Sequence, residues 1–330
     1  MTYAGSNVTG TTGLVAVDKV GNKIRFYDPQ SLREIKHFDA PEPCAHEMAI
    51  SHDRKTAFVP LYGDGIYGGN KNPNNKILIV DLVKQQLAGV IPLGEFVAPH
   101  GMVATREGKL WVVCDIPGKL LLIDPASRTV EAVYDCPAKG PHIVVLTPDE
   151  HKLSVSHKEG ALAAFDVAQR KFVASVPMGE ITSGNGSGSE GIAPMGDGKH
   201  LLALDNERND LRVIDIATDR EIDRVPLDGN PFSNIKRSRL AKLMFSPDGR
   251  HLVVTTYASG LAWLIDAADL RRQTRVPVAK GPQGIAFAPE GKSALVSSHD
   301  SGLLTRISLA DGCAVAAYDG GAGIEVLAYY

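Results

Sequence analysis

Three histidines occupy matching places near the start of short apolar segments, where their imidazoles could act together. They are His46 in AHEMAI, His100 in PHGMVA and His142 in PHIVVL. Glu190 in EGIAP and Glu325 in IEVLAY hold comparable places and would add two carboxylates. Imidazole nitrogens and carboxylate oxygens are ligands for Zn²⁺, Fe²⁺ and Mn²⁺ in catalytic sites that keep an open position. The pattern predicts a site for one of these divalent metals on these five residues.

A bound metal of this kind would polarise a carbonyl group or lower the pKa of a bound water, which suits hydrolysis or elimination. A metal-free site is the alternative, with one histidine as general acid or base beside Glu190. The third interpretation is that the histidines only hydrogen-bond water and backbone. Since only ten histidines occur in the chain, three in register with an acid favour a functional cluster. His157, His299 and Glu190 are the predicted proton-transfer groups.

The elements that must position these residues form a repeat along the whole chain. Each copy has an apolar strand, a turn such as Pro-Asp-Gly, a second apolar strand, a loop and a third strand ending in Asp. Examples are GMVATREGKLWVV, KLMFSPDGRHLVV and GIAFAPEGKSALV. No segment keeps a 3.6-residue apolar period for three turns, so we expect almost no helix. The closing aspartates, such as Asp28 and Asp81, are interpreted as turn caps and not as catalytic acids.

Counting the copies predicts a closed ring. The first strands of successive copies begin at His46, His100, His142, Glu190, Ala241 and Gln283. Their spacing is close to the roughly 40–45 residues of a four-stranded propeller blade. The chain begins with a second and a third strand, GLVAVD and IRFYD, while GIEVLAYY near its C-terminus is a spare first strand. Pairing them would remove exposed sheet edges. The prediction is one all-β domain over residues 1–330, a seven-bladed β-propeller closed by the C-terminal strand.

Insertions are expected on the face where the first strands begin, because these connections emerge there in a four-stranded meander. They are Tyr62–Asn75, Gly179–Ser189 and Asp228–Arg239. The last contains KRSR, which is either an anion-binding run or a solvated basic loop. The residues predicted to bind the substrate are Arg237, Arg239, Arg208, Tyr257 and Gln283. The loops after the second strands are expected to rim the same mouth with Asp115, His157, Asn206, Glu207, Arg208, Tyr257, His299 and Asp300.

Composition excludes several classes of protein. A net charge of −3 gives no reason to expect nucleic acid or a membrane surface as a partner. No apolar run is long enough for a membrane-spanning helix. The N-terminus has no basic region followed by an apolar stretch, so a cytoplasmic location is expected, with a periplasmic form trimmed of its signal as the alternative. The four cysteines have no metal-binding spacing and are expected to be buried free thiols.

The motifs of other enzyme classes are missing too. The sequence has no G-x-S-x-G elbow and no dinucleotide fingerprint, and its Gly/Ser run after Ser183 has no following Lys and opens no helix. We therefore expect no nucleotide cofactor. A small molecule is the expected partner, and the oligomeric state is left open.

The repeat phrases and the ring closure resemble the YncE-like (YVTN) propellers and the lactonase-type seven-bladed propellers, which include 6-phosphogluconolactonase and fungal carboxymuconate-cyclising enzymes. The PHG and GIAFAPEGK phrases are also similar to those of the virginiamycin B lyase and SMP-30/gluconolactonase propellers. The resemblance covers nearly the whole chain and implies the architecture. SMP-30-like enzymes hold a metal on Glu, Asn and Asp, whereas the matching positions here are mostly His. Lactonase families use His, Glu and Arg at the same mouth, and those residue types occur here.

Two functions are compatible with these features. The first is a lactone hydrolase or lyase, with or without a metal, acting on a small anionic cyclic ester at the His-rich mouth of the channel. The second is a non-enzymatic YncE-like propeller that binds a ligand or a protein across its loop-rich face. The unusual polar residues lie at first-strand starts and not on outer strands, which favours the enzyme.

Overall fold

The fold is a seven-bladed β-propeller, as the repeat predicted. A computed structural model describes residues 12–178, 191–205, 208–227 and 240–330. Over these ranges the chain forms seven four-stranded antiparallel sheets and contains no helix. The described part of the chain accordingly offers no helical segment that could cross a bilayer.

Each sheet is one blade, numbered here in ring order from the blade that holds the N-terminal strands. Blade 1 contains β1 (Leu14–Asp18), β2 (Lys23–Tyr27) and β3 (Glu34–Asp39). Blade 2 contains β4 (Ala49–Ile50), β5 (Thr56–Gly63), β6 (Pro73–Asp81) and β7 (Gln86–Pro92). Blade 3 contains β8 (Pro99–Ala104), β9 (Leu110–Cys114), β10 (Lys119–Asp124) and β11 (Thr129–Asp135). Blades 4 and 5 contain β12 (Pro141–Leu146), β13 (Lys152–His157), β14 (Ala161–Asp166) and β15 (Lys171–Pro177); and β16 (Ile192–Pro194), β17 (His200–Asp205), β18 (Asp210–Asp215) and β19 (Arg220–Pro226). Blades 6 and 7 contain β20 (Leu240–Phe245), β21 (His251–Thr256), β22 (Leu261–Asp266) and β23 (Asp269–Pro277); and β24 (Pro282–Phe287), β25 (Ser293–Ser298), β26 (Leu303–Ser308) and β27 (Cys313–Asp319). The last strand, β28 (Ile324–Tyr329), completes blade 1.

Burial follows strand position within a blade. The first strands lie innermost and contact the first strands of the neighbouring blades, for example β8 against β4 and β12. The second strands are almost entirely buried, as in β9 and in β21 after its first residue, because both of their faces pack against other blades. The fourth strands alternate between exposed and half-buried residues, as in β11 and β15. Because the first strands surround the channel, a buried functional site is expected where these strands begin or end.

The ring closes as the sequence predicted. β28 pairs antiparallel with β1, with Leu14 opposite Tyr329 and Val17 opposite Val326. The predicted turn caps are confirmed as well: Asp28 accepts a backbone hydrogen bond from Ser31, and Asp81 accepts one from Lys84. These aspartates are half-buried turn residues and serve the fold.

The cysteines agree with the prediction except in burial. All four are free. Cys114 is buried and Cys44 and Cys136 are half-buried, but Cys313 is exposed, so the expectation that all four are buried was wrong. Cys313 begins β27, an outermost strand whose side chains face solvent.

Asp18 is the principal polar contact at the closure of the ring. It is fully buried at the end of β1. Its Oδ1 accepts hydrogen bonds from the backbone of Gly21 at 2.8 Å and Gly323 at 2.9 Å, and its Oδ2 accepts from Arg25 Nε at 2.7 Å and Ala322 N at 3.2 Å. One carboxylate therefore joins the segment before β28 to β1 and β2.

Replacing Asp18 by Asn should lower the free energy of unfolding by about 2–4 kcal/mol, because the amide nitrogen cannot accept and Arg25 loses a buried anion. Urea denaturation measures the change. Asp124→Asn is the matched control, since Asp124 caps an exposed turn through Ala126. Equal losses in the two variants would show that Asp18 does not hold the closure.

Candidate functional site

The structure brings the three predicted imidazoles together on consecutive blades. His46 precedes β4, His100 lies in β8 and His142 in β12, and all three side chains are buried. His46 Nε2 is 2.7 Å from His100 Nε2. The ring of His100 lies over that of His142, with centroids 4.0 Å apart. Glu325, on the other side of His46, has its Oε2 3.8 Å from His46 Nδ1. His46, His100, His142 and Glu325 form one arc at the channel mouth, which is called the histidine arc below.

A β-bulge at the start of the first strands directs two consecutive residues towards the channel. Pairing between β12 and β13 shifts by one residue between Pro141 and Val144, and the same shift occurs in β8 and β20. It also occurs in blade 2, where Ala45 lies opposite Leu61 but Ala49 lies opposite Phe58. A bulge sets two residues of one strand opposite one of its partner and re-aims a side chain. For this reason the residues after the predicted positions, Glu47 and Lys242, also reach the site.

Glu47 and Lys242 form an ion pair across the channel. Lys242 Nζ lies 2.6 Å and 2.7 Å from the two carboxylate oxygens of Glu47, and both side chains are buried. Glu47 belongs to blade 2 and Lys242 to blade 6, which are not neighbours in the ring. Burial raises the pKa of Glu47, but the charge of Lys242, together with smaller contributions from His100 and His46, makes the net shift downward. The residue is therefore a carboxylate at neutral pH.

The histidines are neutral at physiological pH. Burial lowers the pKa of His100 to about 3, and it lowers those of His46 and His142 well below the usual range. His100 Nδ1 lies 3.0 Å from the backbone oxygen of His142, and a carbonyl oxygen can only accept, so this nitrogen carries the proton. The Nε2 of neutral His100 is then a lone pair directed at His46.

Gly101 allows this hydrogen bond to form. A Cβ at residue 101 would lie 2.5 Å from the carbonyl oxygen of His142, the same atom that accepts from His100. Only glycine permits so close an approach of β8 to β12. The Pro-His-Gly sequence thus fixes the orientation of the His100 ring.

One group of described side chains has metal-ligand geometry. The ligand atoms of His46, Glu47 and His100 all lie within 4.8 Å of one another. Two imidazoles and one carboxylate are the donor set of several catalytic metal sites. Among the predicted ligands, His142 packs beside this group and Glu325 faces its outer side, and their role as ligands stays a prediction.

Tyr62 and Asp115 border the histidines on the outer side. The Tyr62 ring stacks on His46 with centroids 5.3 Å apart and meets His100 edge-on at 5.4 Å. Its hydroxyl donates to Asp115 Oδ2 at 2.5 Å. Asp115 is 2 % exposed, and burial raises its pKa to about 6. A carboxyl group that titrates near neutrality beside the cluster is suited to proton transfer.

Two further lysines lie near the histidines, each beside a carboxyl group. Lys19 Nζ is 3.1 Å from Glu325 Oε2, and the charge of Lys158 acts on Asp115. After burial, the charges of Lys19 and Lys158 also contribute to the lowered pKa values of His46 and His142. The cluster therefore has ammonium groups and carboxyl groups around it.

The predicted insertion Tyr62–Asn75 covers the end of β5, the connection 64–72 and the start of β6, on the histidine face. Tyr67 at its tip donates to Glu159 at 2.9 Å, on the β13–β14 turn of blade 4. The loop therefore passes from blade 2 over blade 3 and borders the mouth. Gly179–Ser189 and Asp228–Arg239 lie outside the described residues.

The remaining predicted residues do not join the histidine arc. His157 is fully buried, 3.3 Å from the carbonyl of Ala161, and burial lowers its pKa to about 4. His299 instead contacts Tyr257 and Asp300 on blades 6 and 7, and Tyr257 donates to Asp300.

Of the remaining predicted residues, Gln283 and Arg208 belong to the described part of the chain. Gln283 is half-buried in β24, at the position equivalent to His142. Arg208 is exposed after β17. Outside the described residues lie Glu190, Asn206, Glu207, Arg237 and Arg239.

The site includes residues that the sequence analysis did not select. Glu47 and Lys242 were missed because strict strand alternation would turn them away from the channel. Lys19 and Lys158 directly follow second strands, the position from which the predicted rim residues were taken. Tyr62 lies near the end of the second strand β5, at the start of the predicted insertion.

Comparison with solved structures gives the same architecture. The chain aligns with the hydrazine synthase of Kuenenia stuttgartiensis with a TM-score of 0.70 and 17% identity, covering 89% of this chain and 92% of that one. A functionally unknown protein from Desulfotomaculum acetoxidans DSM 771 aligns with a TM-score of 0.74 and 11% identity, covering 97% of this chain and 99% of that one. A streptogramin B lyase aligns with a TM-score of 0.67 and 18% identity, covering 86% of each chain. These likenesses show the fold alone. No protein-family model and no curated protein sequence matches the chain.

Proposed function

We propose that the protein is a metal-dependent enzyme, a hydrolase or lyase, that opens a small anionic lactone at the histidine end of the channel. The ligands would be His46, Glu47 and His100. The metal would act as a Lewis acid on the ester carbonyl. Hydrolysis would add water across the acyl–oxygen bond to give a hydroxy acid. Elimination would break the alkyl–oxygen bond and remove a proton from the neighbouring carbon, giving an unsaturated acid.

The close approach of the two Nε2 atoms carries the proposal. The lone pair of His100 Nε2 requires a positive partner, which is either a proton on His46 Nε2 or a cation. If the proton is on His46 Nε2, the Nδ1 of neutral His46 has only a lone pair, which would face the negative Glu325 carboxylate 3.8 Å away. With a metal there, His46 carries its proton on Nδ1 and directs it at Glu325. A carboxylate behind a histidine is the usual outer partner of a metal ligand.

The donor atoms fit a metal with a small adjustment. A tetrahedral ion with Zn–N distances of about 2.0–2.1 Å would hold its nitrogens roughly 3.3 Å apart. The rings would therefore separate by about 0.6 Å from the present 2.7 Å. Glu47 would share its carboxylate between the ion and Lys242, so Lys242 would hold this ligand in place.

The surrounding groups support an anionic substrate. Lys19 and Lys158 lie near the histidines, and each ammonium group would exchange its neighbouring carboxyl group for a substrate carboxylate. Asp115, joined to Tyr62, would take or return the proton. Two of the similar structures named above are called enzymes, a synthase and a lyase, which is compatible with catalysis on this fold but says nothing about the substrate.

Activity on lactones tests the proposal. Metal-stripped protein reloaded with Zn²⁺, Mn²⁺ or Fe²⁺ would be assayed by pH-stat against sugar lactones and carboxylated five-membered lactones. We expect turnover that EDTA abolishes and that His100→Gln lowers by at least about 100-fold. Should the loaded protein bind metal yet open none of these lactones, the enzyme proposal fails, and a propeller that binds its ligand without chemistry becomes the better account.

A further inference from the structure

The opposite end of the channel holds a second cavity, distinct from the histidine site. It has a volume of about 320 Å³ and is formed by the far ends of the first strands and the turns that follow them. This size is near the lower end of small-molecule sites. Met48, Met244, Ile285, Phe287 and Leu327 give it an apolar lining.

The ion pair across the channel separates this cavity from the histidines. Met48 directly follows Glu47, and Met244 is two residues after Lys242. The buried contact between Glu47 and Lys242 therefore lies between the two ends. A ligand in the cavity would enter from the turn face and would not touch the histidines.

Arg54 supplies the cavity's cationic group. It is half-buried in the turn between β4 and β5, and its Nη1 donates to the carbonyl of Tyr329 at 3.2 Å. No carboxylate of the described residues forms an ion pair with it. Burial lowers the pKa of Arg54. The acidic group on the same wall, Asp248, is already paired with Arg250.

The backbone at Arg54 also departs from the pattern of the repeat. Its φ is 59°. The equivalent turns of blades 3, 5, 6 and 7 have glycine in this left-handed conformation, at Gly108, Gly198, Gly249 and Gly291, and only the turn of blade 4, among those described, shares a non-glycine residue there, Glu150 at 63°. A residue with a Cβ is less stable there by about 1–2 kcal/mol. The chain accepts this cost and gains a guanidinium at the cavity.

We propose that this cavity binds a small amphipathic anion, with its apolar body among the methionines and aromatic rings and its carboxylate or sulfonate on Arg54. The apolar lining accounts for the body of the ligand. The half-buried guanidinium, with donors beyond the one used by Tyr329, accounts for its charge. This site is independent of the lactone activity.

Fluorescence titration with 1-anilinonaphthalene-8-sulfonate tests the site. The folded protein should bind one equivalent saturably. Arg54→Gln should weaken binding about tenfold, since a hydrogen bond to a charged group is lost, yet leave binding of the uncharged N-phenyl-1-naphthylamine unchanged. Met244→Trp, which fills the cavity, should abolish both. Arg272→Gln, on the exposed outer strand β23, is the matched control and should change neither.

Two results would overturn the proposal. One is fluorescence that rises without saturation in the wild-type protein. The other is an Arg54→Gln variant that binds the sulfonate as tightly as the wild-type protein. Arg54 lies in a surface turn, so this variant should keep the wild-type unfolding midpoint and remains informative even if Met244→Trp fails to fold.

Discussion

Replacing His100 by Gln is expected to weaken the binding of Co²⁺ or Zn²⁺ by at least about 100-fold, more than the 10- to 100-fold typical of outer-shell substitutions. Gln cannot present the Nε2 lone pair that the hydrogen bond to His142 directs at His46. Titration calorimetry on metal-stripped protein measures the change.

Two further variants complete the metal experiment. Glu325→Gln keeps the three ligands but removes the negative charge behind His46. Its metal affinity should therefore fall less than that of His100→Gln, by about 10-fold. His200→Gln is the matched control, because His200 is half-buried at the start of β17 and pairs with Asp197. Equal affinity for metal in the His100, His200 and wild-type proteins would mean that the histidine arc binds no metal.

Replacing Lys242 by Met should cost about 3–5 kcal/mol of the free energy of unfolding in the metal-free protein, because the Glu47 carboxylate is then buried without a counter-charge. Urea denaturation measures the loss. Lys23→Met provides a matched control: Lys23 pairs with the exposed Asp39, and a surface pair contributes little.

The metal links this variant to the proposed site. A divalent cation on Glu47 supplies the missing positive charge, so saturating Zn²⁺ should stabilise Lys242→Met more than the wild-type protein. The double variant Glu47→Gln/Lys242→Met, which removes both charges, should recover part of the loss without metal. If metal stabilises the single variant and the wild-type protein equally, Glu47 is not a ligand.

The sequence predicted the architecture because the repeat is local and regular. Strand-turn-strand phrases and the spare C-terminal strand were sufficient to place seven blades and the pairing of β28 with β1. The register of His46, His100 and His142 followed from the same repeat, since equivalent positions in a closed ring face one channel.

The rest of the site depended on features that a repeat does not encode. Glu47 and Lys242 reach the channel only because a bulge interrupts the alternation of the first strands. Their pairing joins residues from blades that are not adjacent, which no local pattern predicts. The hydroxyl of Tyr62 donates to Asp115 of the adjacent blade, a contact between side chains 53 residues apart that the repeat does not specify either. Residue types were readable from the sequence, but their partners were not.

X-ray absorption at the zinc edge, on protein loaded with one equivalent of Zn²⁺, tests the metal site most directly. We expect two imidazole nitrogens at about 2.0–2.1 Å with oxygen donors completing the shell, and one imidazole fewer in His100→Gln. A shell of oxygens without imidazole scattering, unchanged in the variant, would contradict a metal held between His46 and His100.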